Sequence, residues 1–190
     1  RHRMIWETIL TTVDVQGRTH ITPLGIREER GLTVLSPFRP SGTLDNILAT
    51  RLAVVNFTDD VRVFAGCLTG RRDWPVQPGE EVACARLVNT LAHRELELVE
   101  VEDDDVRPRL YCRTVHEASH GAFPGFNRAR SAVVEAAILV SRLHMLPIEK
   151  IDAERAYLQI AIDKTAGPAE REAWGWLIEK IDAHRAGVQS

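Results

Sequence analysis

A chain of 190 residues with 44% hydrophobic and 27% charged residues is long enough for one sizeable core and has a globular composition. Its formal net charge of −3 argues against a free nucleic-acid binder, and no apolar run is long enough to span a bilayer. There is no signal-peptide layout at the start, and Cys67, Cys84 and Cys112 show no C-x-x-C spacing, so the expectation is a cytoplasmic protein with reduced, buried thiols. Residues 1–3 (RHR), ahead of Met4, read as an extended start or a remnant and stay outside the fold reading.

Ile5 to Val13 reads as a strand, with Gln16-Gly17 as the turn to a partner over Thr19 to Arg27. Pro23 removes a ladder donor and Gly25 permits close approach, which predicts an edge or a bulge in that partner. Leu32 to Leu35 is a third strand, and Thr43 to Arg51 a short helix with Thr43 as N-cap. Ala53 to Phe57 is an apolar strand, after which Asp59 and Asp60 open a helical turn toward Ala65. Glu81 to Leu87 and Glu95 to Glu102 read as strands. In the second, Leu96 and Leu98 give way to Val99 and Val101, a phase change that a bulge or strong twist produces. Arg109 to Val115 is the last strand.

Beyond about residue 125 the spacing becomes helical. Ala129, Val133, Ala136, Ala137, Val140 and Leu143 mark an amphipathic helix, and Pro147 separates it from a second over Asp152 to Lys164, with Tyr157, Ile160 and Ala161 on one face. Gly167-Pro168 breaks that helix. Trp174, Leu177, Ile178 and Ile181 form the stripe of a third, which leaves Trp176 partly exposed. The order is α+β, mainly β: an antiparallel barrel or sandwich over residues 5–125 and a helical segment over 126–190.

HEASH, His116 to His120, matches H-E-x-x-H, which on a helix sets two zinc ligands on one face with a glutamate as base. The preceding YCRTV favours strand and Gly121 follows at once, so the segment reads as the polar end of the last strand. A zinc hydrolase through His116, Glu117 and His120 is the remote alternative, and no residue is assigned to a metal. An intermediate reading has His116 or His120 touching a ligand from the turn.

SPFRPSGTLDNI, Ser36 to Ile47, sets Ser36, Arg39, Ser41 and Thr43 around two prolines and a glycine. Hydroxyls and a guanidinium on a stiff loop that enters a helix can cradle a phosphate. The plainer alternative is a solvated turn with an N-cap. Together with ETILTT at Glu7, THITPLGI at Thr19, AVVNFTDD at Ala53 and GFNRARSAVVEAAILVSRL at Gly125, this stretch resembles the DUF447 family, related to flavin reductases of the FMN-binding split-barrel fold. The similarity runs in order from about Ile5 to Leu143.

The resemblance implies a six-stranded antiparallel Greek-key split barrel with a C-terminal helical segment, which binds FMN near the interface of a homodimer. In that reading Arg39, Ser41 and Thr43 hold the FMN phosphate, and Asn46 supports the loop or the ribityl chain. Thr22, Pro23, Leu24 and Gly25 run along the isoalloxazine edge. Asn56, Phe57 and Thr58 lie near the flavin or the phosphate loop. Asn127 and Arg128, at the start of a helix, serve a flavin or a substrate, with a plain helix cap as the competing role of Asn127. Such a reductase needs no catalytic dyad, and none is assigned. The implied function is FMN-dependent oxidoreduction of a small organic acceptor, a pterin of one-carbon metabolism among them, with a reduced nicotinamide as donor. The alternative is a non-catalytic FMN-storing or FMN-sensing protein. No membrane or nucleic-acid partner is expected.

Overall fold

A computed structural model describes residues 3–187, so the first two of the three residues ahead of Met4 lie outside it. The chain divides into two compact units: the chain up to Thr58 with Asp73–Phe123, and Asp59–Arg72 with the chain from Pro124 onward.

In the first unit, strands β1 (Trp6–Val13), β2 (Thr19–Glu29), β3 (Leu32–Leu35), β4 (Leu52–Phe57), β7 (Ala92–Glu102) and β8 (Arg109–Ser119) form a closed antiparallel barrel in the order β1-β2-β3-β8-β7-β4. Closure comes from β1 against β4 at Ile9↔Asn56, Leu10↔Val55 and Thr11↔Val54. Helix α1 (Gly42–Thr50) sends Leu44 and Ile47 into the interior, where they meet Leu10, Ile26, Leu35, Val55, Leu96, Leu98 and Leu110. Burying this apolar set is what holds the barrel shut. The Val99/Val101 phase change has a structural counterpart in the β7–β8 register shifts at Glu95/Leu96 and Leu98/Glu100.

Three local expectations change. β2 pairs with β1 through Pro23↔Ile9 and Gly25↔Glu7 without a bulge. The cap of α1 is Ser41, whose extended backbone lets Oγ accept from the Leu44 amide at 3.1 Å, whereas Thr43 is buried in the first turn. The expected strand Glu81 to Leu87 is mostly irregular: only β5 (Val76–Gln77) and β6 (Arg86–Leu87) pair.

That irregular segment, residues 73–91, is a strap over the outer face of the barrel. Its fastenings are side chains of the barrel wall. Asn56 Oδ1 accepts from the Leu87 amide at 2.8 Å, and Thr11 Oγ1 donates to the Ala85 carbonyl at 2.6 Å. Glu95, fully buried, accepts from the amides of Glu80, Glu81 and Val82 at 2.9, 2.7 and 2.9 Å and from His93 Nε2 at 2.6 Å. Burial works to raise the Glu95 pKa, but these donors outweigh it and hold the carboxyl down at about 2.

The second unit contains α2 (Val61–Cys67), α3 (Arg128–Val140), a 3-10 turn (Leu143–Met145), α4 (Ile148–Thr165) and α5 (Pro168–Arg185). The sequence reading leaves α2 in the barrel region. Here Val61 and Ala65 share one apolar cluster with Ala129, Val133, Ala136, Trp174 and Leu177, so α2 joins the C-terminal helices. Trp174 is buried within this unit, its indole N–H donating to Gln159 Oε1 at 2.9 Å. The buried face of α4 is set by Ile151 and Ile162, and Tyr157 and Ile160 turn outward. No helix among the described residues is long and apolar enough to cross a membrane.

Candidate cofactor site

β3 ends at Leu35, paired with Ile26 of β2 and Leu110 of β8. From Gly25 back to Thr19, β2 therefore has β1 on one side and, among the described residues, no strand on the other. The barrel is closed, yet it keeps an open seam along Thr22–Gly25. Pro23, which has no N–H to give, sits in this half-paired stretch, so the expected edge is present although the bulge is not. The close approach at Gly25 is made by the chain itself, since a Cβ there would lie 2.8 Å from Ile5 Cγ2.

The helix α1 packs on β1, β2 and β4, and a Cβ on Gly42 would lie 3.8 Å from the His20 ring of β2. Ser41 Oγ and Ser41 O take the amides of Leu44 and Asp45. By helix geometry the amides of Gly42 and Thr43 then point out of the helix start. Backbone, hydroxyl and imidazole thus meet where the seam begins.

Arg39 is turned elsewhere. Its NH2 donates to Asp103 Oδ1 at 2.6 Å and its Nε to the Asp104 carbonyl at 3.0 Å. Arg107 Nε donates to the Ser36 carbonyl at 2.7 Å, and its guanidinium lies 4.4 Å over the Phe38 ring. These two arginines fasten the 36–39 loop to the 103–107 turn. A concavity of about 350 Å³ beside them is lined by Arg27, Ser36, Asp103, Asp104, Arg107 and Arg109. Among the described residues, Ser36 Oγ and Arg27 Nε are buried there without a hydrogen-bond partner. His20, Arg27 and Arg107 carry no sequence signal, because only the fold brings them to this edge.

The remaining candidates are placed as follows. Asn46 donates from Nδ2 to Thr12 Oγ1 at 3.1 Å, inside the barrel end. Asn56 does not face an open surface: fully buried, it donates to Ile9 O at 3.0 Å and Thr11 Oγ1 at 3.1 Å and accepts from Leu87. Phe57 packs against the barrel core under the Arg94 guanidinium, and Thr58 donates to the Asn89 carbonyl at 3.0 Å. Asn127 and Arg128 belong to the helical unit. Asn127 is the N-cap of α3, its Oδ1 accepting from Arg130 N at 3.0 Å and its Nδ2 donating to Thr165 O at 3.1 Å. HEASH is strand as far as Ser119, so the helical zinc-protease geometry does not form, and Glu117 is ion-paired with Arg94 at 3.4 Å.

Comparison with known proteins places this architecture. A family model described as the N-terminal domain of a protein of unknown function (DUF447) matches residues 6–121, and a second DUF447 model matches residues 127–179. The FMN-bound protein MM1853 from Methanosarcina mazei is similar at a TM-score of 0.79 and 20% identity, covering 94% of this chain and 96% of that one. A putative flavin reductase with a split barrel domain from Shewanella frigidimarina gives 0.55 at 14% identity, covering 65% and 74%. An FMN-binding protein from Thermus thermophilus with bound 1-cyclohex-2-enone gives 0.51 at 19%, covering 62% and 72%. Among curated proteins no significant match was found. Both matched models lie in order along the chain, and the chain belongs to the DUF447 family.

Proposed function

We propose that the chain binds FMN and acts as a flavin-dependent oxidoreductase of the flavin-reductase type, in the cytoplasm, on a small organic acceptor. The observation that carries this reading is the FMN-bound Methanosarcina mazei protein, whose fold matches this chain over nearly its whole length. The half-paired stretch of β2 beside the start of α1 fits the group: a flat ring can take the free backbone edge, and a phosphate the helix start.

FMN, when bound, supplies the hydride and electron transfer. The chain supplies position. Ser41, Thr43 and the Gly42 amide hold the phosphate, with the helix dipole favouring its charge. Thr22, Leu24 and Gly25 offer backbone groups to the ring edge, and Pro23 stiffens that strand. Arg39 reaches the phosphate by exchanging Asp103 for it, a cheap exchange because an ion pair this exposed contributes little stability. Asn127 keeps the cap of α3, and Arg128 offers its charge beside it. A pterin is the acceptor class that the family resemblance brings, and a reduced nicotinamide the donor.

Titration with FMN tests the reading. One FMN per chain is expected, with Arg39→Ala weakening binding roughly tenfold, about 1.4 kcal/mol. Asp103→Ala, which releases the guanidinium, should tighten it. A folded protein that takes up no FMN would overturn the proposal. Bleaching by a reduced nicotinamide and recolouring by a pterin support the enzyme, whereas a yellow protein that no donor bleaches is a storage or sensing protein. We also propose a homodimer that pairs through the outward face of α4, where Tyr157 is 76% and Ile160 49% exposed.

A further inference from the structure

The outer face of β7 and β8 carries a second cluster, remote in chemistry from any flavin. His116 stands opposite Glu95, and Ala118 opposite His93. Directly opposed residues share a face of the sheet, so His93, Glu95 and His116 all point to the side that the strap covers. His120, two residues past Ala118, continues the row. From the strap, Glu80 brings Oε2 to 2.8 Å from His116 Nε2. One ligand atom from each of Glu80, His93 and His116 lies within 4.8 Å of the other two.

The donor accounting of this cluster closes at His93 and fails at His116. Glu95 accepts from three strap amides through its two oxygens, and the 2.6 Å contact with His93 Nε2 makes that nitrogen the donor. In the neutral imidazole the lone pair then sits on His93 Nδ1. His120 Nε2 lies 2.8 Å from that nitrogen, with the two rings stacked at 5.0 Å. His116 Nε2 is buried and, among the described residues, has no hydrogen-bond partner, although the Glu80 carboxylate is 2.8 Å away. A short contact without hydrogen-bond direction is what two donors aimed at a common point produce.

We propose that Glu80, His93 and His116 bind a divalent transition metal of the zinc class, with Glu95 as the buried carboxylate that fixes the His93 ring. Two imidazoles and one carboxylate suit that ion, and a carboxylate behind a ligating histidine is its usual support. His120, exposed at the strand end, is placed to give the fourth donor of a tetrahedral site. The metal would join three segments, the strap through Glu80, β7 through His93 and β8 through His116, and so act as a clamp. It is not a protease centre: two of its donors reach it from a strand, and Glu117, the residue that would be the base, is paired with Arg94. The site does not depend on FMN.

The test uses the full chain, free of any metal-binding tag, stripped with a chelator and titrated with zinc. Expected are one zinc retained per chain after dialysis and a melting temperature that rises with zinc and falls again with chelator. His93 is fully buried and its removal risks the fold, so the deciding variants are Glu80→Ala and His116→Ala, at side chains 51% and 26% exposed. Each should keep the circular dichroism of the parent and weaken zinc at least tenfold, whereas Glu117→Ala should leave zinc binding unchanged. Absence of stoichiometric zinc and of any melting shift in the parent overturns the proposal, as does parental zinc affinity in both variants. FMN uptake, read by colour, reports separately on the flavin reading.

Discussion

Asn56 carries amide chemistry that suits a ligand, yet the fold uses all of it within the barrel wall and its strap. Its partners Ile9 and Leu87 lie 47 and 31 residues away, so nothing local in AVVNFTDD distinguishes a ligand contact from an internal tie. Asn56→Leu leaves the Leu87 amide and the Ile9 carbonyl unpaired, and should cost about 3 kcal/mol in urea unfolding. The cysteines were legible, because three of them far apart with no C-x-x-C spacing already implied buried thiols. Burial pushes Cys84 up to about 12, with Glu95 adding to it, and Cys112 up to about 12 despite Arg51; Cys67 is raised as well. A thiol-specific disulfide reagent near pH 8 should therefore find no fast-reacting group until the protein is unfolded. For Cys84 and Cys112 the folded pKa lies above the ordinary 9, so their contribution is intact below pH 9. It is lost as pH rises toward 12, and base unfolding should begin in that window.

Among the elements, strands with alternating or β-rich patterns were read close to their bounds, as with β1, β3 and β4, whereas β8 runs past the expected Val115 to Ser119. Two kinds of element were not. The segment Glu81 to Leu87 has strand-like residues but is held by the side chains of Asn56, Thr11 and Glu95, and a backbone tied at such points needs no ladder. The start of α1 shifted from Thr43 to Ser41 because capping needs an extended residue just outside the helix, and hydroxyl chemistry alone fits both positions. Ser41→Ala should cost about 1 kcal/mol of stability in thermal or urea melts even without FMN. HEASH shows the same limit. A two-histidine pattern on a helix and on a strand is one string of letters, and only the pairing with β7 brings His93 and Glu95 to it.

For the molecule as a whole, the barrel and the helical segment were legible through the ordered family resemblance, which the matched models cover at residues 6–121 and 127–179. Assignment of α2 to the helical unit was not, since its partners Ala129 and Trp174 lie far along the chain. The homodimer proposed above, through the exposed Tyr157 and Ile160 of α4, is tested at this scale. Light scattering should give the mass of two chains, and Ile160→Glu should halve it without loss of helix content. The strap has a consequence for how the molecule breathes. Its amides at Glu81 and Val82 are loop and that of Leu87 lies in the short strand β6, yet all three bond to side chains of the barrel wall. In deuterium they should therefore exchange on the slow timescale of the barrel wall, and Glu95→Gln should quicken Glu81 and Val82 while Leu87, tied to Asn56, stays slow.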